Sequence, residues 1–246
     1  MSDYMKGCYM KRSWKFAFTL AEVLVTLGII GVVASMTMPT LIQNHQKKSY
    51  VVQLHKVYNE FQQAFIMKMN ERNAVNLAEA GFYKNDGFGI EKEFLQSHFK
   101  VVKDCGETTT DCFASSYTGL NGQKVTPRFS GYKVAIASGA SISFYIDGLD
   151  TGDETTDDFL GYIYVDTNGA KGPNKGGRDL FRMYIYPDGV IDDWKINADC
   201  RKNNNCNTGA TAKEAREYNF NHYCANANDT DGCFGKLLND NWEMNY

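Results

Sequence analysis

The chain lacks the short signatures of common catalysis. It has no phosphate-binding Gly-Lys-Ser/Thr loop, since "GAKGPNKGG" is not followed by one, no Gly-x-Ser-x-Gly elbow and no His-Glu-x-x-His helix. Its four histidines, His45, His55, His98 and His222, are scattered, and no Cys-x-x-Cys pair is present, so zinc, the rival use of the cysteines, finds no ligand set. Carboxylates are so plentiful that a pair of them singles out no acid–base site. There is no internal repeat and no low-complexity tract. Long apolar runs are equally scarce: one stretch, "AFTLAEVLVTLGIIGVVASMTMP" from Ala17 to Pro39, is the only candidate membrane span, and its single charge is Glu22. The expectation is a protein that is not an enzyme and has no certain cofactor.

What is present is enough for a packed body. The chain has 246 residues, 43% hydrophobic and 13% aromatic, which suits one domain or two small ones and argues against bulk disorder. The net charge of −3 is unevenly placed: Lys6, Lys11, Arg12 and Lys15 against Asp3 make residues 1–17 +3, which leaves −6 for the remainder. An acidic body predicts no nucleic-acid partner.

Phe18 to Met38 is 21 residues. As a helix it would be about 32 Å long, the thickness of a bilayer core. The basic residues precede it, which puts the N-terminus in the cytoplasm and the body outside. Three readings compete: a secretory signal cut near Ala34-Ser35, a plain signal anchor, and a leader cut before Phe18 that leaves the apolar segment on the mature chain. Glu22 bears on the choice. A carboxylate in hydrocarbon costs a few kcal/mol and is usually paired. A cut at Ala17/Phe18 creates an α-amine four residues away, and in a filament the carboxylate of one subunit can neutralise the amine of its neighbour. The alternative is that Glu22 snorkels to the interface.

"KFAFTLAEVLVTLGIIGVVASMTMPTLI" resembles the N-terminal methylation segment of type IV pilins and type II secretion pseudopilins over about 28 residues. The shared features are the basic leader, a small residue before the cut, Phe18, Thr19-Leu20, Glu22, the apolar run and Pro39. The resemblance implies that a prepilin peptidase cuts before Phe18 and methylates its new amine. It also implies that Glu22 and Pro39 serve assembly, with Pro39 loosening the helix so that it can stretch in the filament, and that an assembly ATPase and a secretin act with it. Gly28 and Gly31 would let neighbouring helices approach closely. One departure stands: Ala17 occupies the position where the family has Gly, which implies slower cleavage. Met5 and Met10 are alternative starts.

After Pro39 the pattern changes. Val51, Leu54, Tyr58, Phe61 and Phe65 recur at helical spacing, predicting an amphipathic helix that reaches residues 72–78 and packs on a sheet, with His45 and His55 on its surface. "YKVAIAS", "SISFYID", "GYIYVD" and "LFRMYIYPDGVI" predict strands, with turns at Gly139-Ala140 and Pro187-Asp188-Gly189. The expected fold class is α+β: a long N-terminal helix, membrane-spanning over 18–38 and amphipathic over 40–78, laid on an antiparallel sheet of about four strands, with an exported domain over 79–246 after the 1–17 leader. This is also the pilin fold that the resemblance implies.

Cys8 lies in the leader, and six cysteines remain: Cys105, Cys112, Cys200, Cys206, Cys224 and Cys233. An even set in an exported body predicts disulfides. Six cysteines allow about 15 pairings, and the sequence-local set 105–112, 200–206 and 224–233 is the expected one. "VDTNGAKGPNKGGRDLF" offers oxygens from Asp166, Asn168, Asn174 and Asp179 on a glycine-rich loop, as a hard cation such as Ca²⁺ needs. The spacing is not that of an EF-hand. The stretch is similar to a segment that recurs in pilin-like proteins, and some pseudopilins hold calcium in a loop near the sheet end. The competing reading is a cluster of Asx turns without metal. "DGLDTGDETTDDF", with Asp147, Asp150, Asp153, Glu154, Asp157 and Asp158, reads as a solvated loop.

The expected function is a structural subunit, a minor or tip component, of a type IV pilus or type II secretion pseudopilus. Its partners would be other such subunits, the prepilin peptidase and the inner membrane, and its destination an extracytoplasmic filament. The alternative is a membrane-anchored or secreted surface domain that binds a ligand and does not assemble.

Overall fold

The computed structural model describes residues 18–83, 87–148, 159–227 and 229–246. The leader residues, Ala17 and Cys8 among them, and most of the acidic loop after Asp147 lie outside the described residues. The chain divides into two compact units, Met1–His45 and Gln46–Tyr246.

In the first unit the described residues from Leu20 onward form the opening half of helix α1, Leu20–Arg72. The apolar side chains here are exposed all round, with Phe18 at 86% and Leu41 at 71%. By length and composition this helix is apolar and long enough to cross a membrane.

The second unit begins with the rest of α1, and here the pattern becomes one-sided. Tyr50, Val51, Leu54, Val57, Phe61, Ala64 and Phe65 are buried. The helix ends at Arg72, the near end of the expected 72–78, where Asn73 takes a left-handed φ of 49°. Helix α2 (Gly89–His98) follows, then β1 (Val101–Gly106), β2 (Tyr117–Thr118), β3 (Lys124–Val125), β4 (Tyr132–Ile136), β5 (Ser141–Ile146), β6 (Gly161–Asp166), β7 (Leu180–Ile185) and β8 (Ile191–Asp192). The C-terminal part adds α3 (Ala198–Asn203), α4 (Ala212–Asn219), a π-helical turn (Phe220–Cys224) and α5 (Cys233–Asn239).

The sheet has six antiparallel strands, in the order β1-β4-β5-β6-β7-β8, with β2 and β3 pairing separately. The expected four are β4 to β7, and the two additional strands are its edges. β8 is two residues long, and β1 pairs with β4 through two register irregularities. Short and bulged edges resist pairing with other chains, and for the same reason they carry weak strand patterns.

The central strands alternate cleanly, yet both faces are covered. Ile163 and Val165 of β6 and Phe181, Met183 and Ile185 of β7 join the α1 stripe in one core. Tyr162, Tyr164, Leu180 and Tyr184 join Phe113, Tyr117 and Val125 in a second core on the other face. The first core centres on phenylalanines. Phe61 lies 4.6 Å from Phe99 and 5.6 Å from Phe144, and Phe65 stacks on Phe94 of α2 at 5.1 Å. α2 also brings Glu91 inside, where its Oε1 accepts the Ile146 N–H at 3.1 Å. His55 is not a plain surface residue: its ring stacks on Trp242 at 4.0 Å.

Phe61 is fully buried among these rings. Phe61→Ala should lower the unfolding free energy by about 3–5 kcal/mol, read by urea denaturation of the full chain in mild detergent. A loss below about 1 kcal/mol would mean that the helix is not part of this core.

Candidate functional site

The described start of the chain is a capped helix. Thr19 donates its N–H and its hydroxyl to Glu22 Oε2, both at 2.8 Å, and the Glu22 N–H donates to Thr19 Oγ1 at 3.2 Å. This reciprocal arrangement is a capping box, and the Thr-x-x-Glu spacing is its sequence signature. It accounts for part of what Glu22 does inside a single chain, which the sequence reading left to pairing with a neighbour. The carboxylate also stands in the first turn, where the helix dipole favours a negative charge. Farther along, Pro39 sits inside α1 without ending it. The hydroxyls of Ser35 and Thr37 donate back to the Val32 and Val33 carbonyls at 2.8 and 3.0 Å, the kind of bond that bends helices before a proline. Nothing among the described residues lies within 4 Å of where side chains on Gly28 or Gly31 would begin.

Three disulfides staple the second unit: Cys105–Cys112, Cys200–Cys206 and Cys224–Cys233, with sequence separations of 7, 6 and 9. The last one bears on the glycine-rich loop. Gly177 has φ +74°, and a side chain there would start 3.0 Å from both Cys224 Sγ and Cys233 Sγ. Only glycine suits both the backbone and the space.

That loop runs between β6 and β7, and the structure brings its four predicted oxygen donors onto it in two groups. Asp166 ends β6; its Oδ2 accepts the Tyr117 hydroxyl at 2.6 Å and its Oδ1 the Asn168 N–H at 3.2 Å. Asp179 accepts the N–H groups of Asn174 and Lys175 at 2.7 and 2.6 Å. Asn168 donates its amide to the Gly172 carbonyl at 2.9 Å. The Asx-turn reading therefore describes much of the loop. It leaves Asn168 Oδ1 and Asn174 Oδ1 buried without a hydrogen-bond partner, along with Thr167 Oγ1 and Arg178 Nε. Burial pushes the Asp166 carboxyl up to about 8, with the nearby Asp179 adding to the rise and the Tyr117 hydrogen bond opposing it. Burial raises Asp179 as well, against its backbone hydrogen bonds. Two carboxylates and two unpartnered amide oxygens are the donor chemistry of a hard cation. Among the described residues no group of three or more His, Cys, Asp or Glu could hold a metal, so a site here would lean on the amides.

A second polar cluster went unseen in the sequence. Arg182 of β7 lies over the rings of Tyr162, Tyr164 and Tyr184 at 4.3, 5.4 and 4.7 Å. It pairs with Asp231 at 3.3 Å, and the Tyr184 hydroxyl donates to the same oxygen at 2.9 Å. Arg216 pairs with Asp192, and Asp193 accepts the Gly232 N–H at 3.0 Å. Three buried carboxyls thus face two guanidiniums. Burial, with the Asp231 charge adding to it, pushes Asp193 up to about 8, so it is the neutral member at pH 7 and charges balance. The only hint in the sequence is the run of aspartates in "DGVIDDWK".

Compared with family models, with curated proteins and with solved structures, the chain matches none.

The Asp193 environment sets a pH dependence. Its pKa is higher folded than unfolded, so the folded state binds the extra proton between about pH 4 and 8, and this contribution to stability falls as pH rises through that window. Asp193→Asn keeps an acceptor for Gly232 and removes the titration. Its stability-against-pH profile should be shallower than that of the parent by up to about 1.4 kcal/mol per pH unit between pH 5 and 7. Parallel profiles in denaturant melts would show that Asp193 is charged in the folded protein.

Proposed function

We propose that this protein is a subunit of a type IV pilus or type II secretion pseudopilus, a minor or tip component anchored by its N-terminal helix before assembly. One observation carries the reading: α1 is exposed and apolar over its first half, opens on the Thr19–Glu22 capping box, and over its second half is the core of an α+β body with a six-stranded antiparallel sheet. A helix built this way can pass from a membrane to a bundle of like helices while the body stays folded, because the body's core begins only at Tyr50. The resemblance of residues 15–42 to the methylation segment supplies the processing step: a prepilin peptidase cuts between Ala17 and Phe18 and methylates the new amine. Glu22 then offers its carboxylate to the Phe18 amine of a neighbouring subunit, while Pro39 allows the helix to extend. The body is exported and oxidised, which suits its three disulfides. The work is mechanical and needs no catalytic group.

Intact mass and N-terminal analysis of the protein recovered from the membranes of its host tests this. The expected chain begins at N-methylated Phe18, and Glu22→Gln is processed alike but lost from sheared filaments. A chain that begins near Ser35, or one that keeps residues 1–17, overturns the filament reading in favour of a secreted or anchored binding domain.

A second reading concerns the Asp166–Asp179 loop, where the buried and unpartnered Asn168 Oδ1 and Asn174 Oδ1 favour a calcium ion. Asp166, Asn168, Asn174 and Asp179 would hold it, and the ion would supply positive charge to two buried carboxylates. Extracellular modules bind calcium at about 0.1–1 mM. About 5 mM calcium should therefore stabilise the protein over chelator by about 1–2 kcal/mol. Asn168→Ala should lose most of that gain, and equal melting in calcium and chelator would leave the loop to its turns alone.

A further inference from the structure

We infer that the Cys224–Cys233 disulfide is a redox lock on the glycine-rich loop: residues 174–180 keep their bonded turn only while this bond is closed. The inference rests on neither reading above and needs no filament and no ion. Its first support is contact. A side chain on Gly177 would begin 3.0 Å from both sulfurs, so the loop backbone lies directly against the bond. Gly177 holds that place with φ +74° and an N–H bonded to the Leu180 carbonyl at 2.9 Å. The amides before it are bonded as well. Gly176 donates to the Thr118 carbonyl at 2.8 Å, and Asn174 and Lys175 donate to the Asp179 carboxylate at 2.7 and 2.6 Å.

Its second support is what the bond closes. Residues 224–233 form a closed loop of the chain, and its described members reach out to the rest of the body. The Ala227 carbonyl accepts the Asn121 amide at 3.3 Å. Thr230 Cγ2 lies 3.0 Å from where a side chain on Gly176 would begin. Asp231 pairs with Arg182 of β7 at 3.3 Å, and the Gly232 N–H donates to Asp193 at 3.0 Å. Gly176 thus rests on the closed segment and Gly177 on the bond that closes it.

Opening the bond disturbs both supports. A thiolate of a dithiol reductant attacks one sulfur and forms a mixed disulfide. Its second thiolate then displaces the chain as the reductant closes its own disulfide. Two electrons and two protons pass to the protein, leaving thiols on Cys224 and Cys233. Two thiols need more room than one bond, and both cysteines are 0% exposed in a packed core. Gly177 touches both sulfurs and has to give way. The 224–233 segment regains chain freedom at the same moment, so Thr230 and Asp231 no longer meet Gly176 and Arg182 from a fixed base. Coupling of this kind is reciprocal, and the loop in turn holds the bond closed.

Burial sets when the lock acts. Cys105 and Cys206 are half-buried, so a reductant reaches the other two disulfides from the surface. It reaches Cys224–Cys233 only through an opening of the body. The lock is therefore closed as the chain folds, by the reverse exchange with a disulfide oxidant, and is shielded afterwards.

The test uses the full chain in a mild detergent, with chelator throughout so that a calcium ion plays no part. Dithiothreitol is added in steps, alkylation and mass spectrometry report which bonds are open, and amide hydrogen exchange is read on the same samples. Cys105–Cys112 and Cys200–Cys206 should open first, with the 174–177 amides still protected. Opening of Cys224–Cys233 should then speed exchange at Gly176 and Gly177 by at least about fivefold, while the amides of β4 and β5 keep their protection. In the other direction, Gly177→Ala should lower the equilibrium constant of the Cys224–Cys233 bond against glutathione by about fivefold or more. This arm carries the test if the reduced chain fails to stay folded. Cys200→Ser with Cys206→Ser should leave both quantities as in the parent. Gly176 and Gly177 amides that stay protected after Cys224–Cys233 has opened overturn the inference, as does an unchanged glutathione equilibrium in Gly177→Ala. Equal loosening in the Cys200/Cys206 variant, or loss of β4 and β5 protection in the same step, overturns it too, because the bond would then hold the whole body and not the loop.

Discussion

The burial of the second half of α1 against the sheet is the contact on which the rest of the body depends. Leu54, Val57, Phe61 and Phe65 are fully buried, and they supply the apolar counter-surface for Val134, Ile142, Phe144, Ile163 and Met183. Without the helix, one face of a six-stranded sheet would be open to water, a patch far larger than soluble proteins tolerate. The same helix, some twenty residues earlier, has no covered face at all. One continuous element therefore meets two environments, and its sequence changes character between them. Residues 20–42 are apolar around the full circumference, whereas residues 50–65 are apolar on one stripe. The capping box at one end and the left-handed Asn73 at the other close the helix with local bonds that need neither environment.

The opposite face of the sheet is settled differently. Tyrosines take the place of aliphatic side chains there, and each brings a hydroxyl that must be bonded when buried. Tyr117 is bonded to Asp166, Tyr184 to Asp231, and Tyr186 to the Asp193 carbonyl. Arg182 lies among the rings, and its charge is compensated by Asp231. A face built of tyrosine therefore requires buried acids, and buried acids require either cations or protons. Arg182 and Arg216 answer for two of the three carboxyls, and a proton on Asp193 answers for the third. The C-terminal elements deliver Asp231 and Arg216 to this cluster. The Cys224–Cys233 disulfide holds the π-helical turn to the start of α5, which places Asp231 inside a closed loop of the chain.

The parts of this fold that were legible in the sequence are those where one periodicity runs unbroken. The α1 stripe and the four strands β4 to β7 have it. The segments of β6 and β7 were legible as strands, but the covering of their second face, where tyrosine and arginine lie, was not. β1 was illegible because "VVKDCG" mixes two apolar residues with two charges, as a bulged edge strand does. α2 was hidden by its shortness and by Glu91, a buried acid on the face that packs inward. His55 read as a surface residue because its neighbour, Trp242, is nearly two hundred positions away in the chain. The local disulfides followed from the even number and close spacing of the cysteines. At the candidate site, the donor types of the loop were readable, but the division between bonded and unpartnered oxygens was not, because it depends on Tyr117 and on backbone N–H groups that only the fold brings near.

The loop's oxygens are positioned by the protein before any ion is considered. β6 and β7 pair through Asp166 and Leu180, so the loop's two ends are fixed by the strand ladder. The Thr167 N–H donates to the Asp179 carbonyl at 2.8 Å and extends that closure by one step. Gly176 and Gly177 back onto Thr230 and onto the Cys224–Cys233 disulfide, where no larger residue fits. Asp179 is oriented by two N–H groups and Asp166 by a hydroxyl. A ligand that arrives at such a loop does not have to order it, and the entropic cost of binding is correspondingly small. The same rigidity has a price in the absence of a ligand. Two carboxyls and two amide oxygens stay buried together, relieved by the hydrogen bonds to Asp166 and Asp179, by the Arg178 charge near Asp179 and by the raised pKa of Asp166. Strands, a disulfide and two glycines therefore hold these oxygens in place against the cost of burying them.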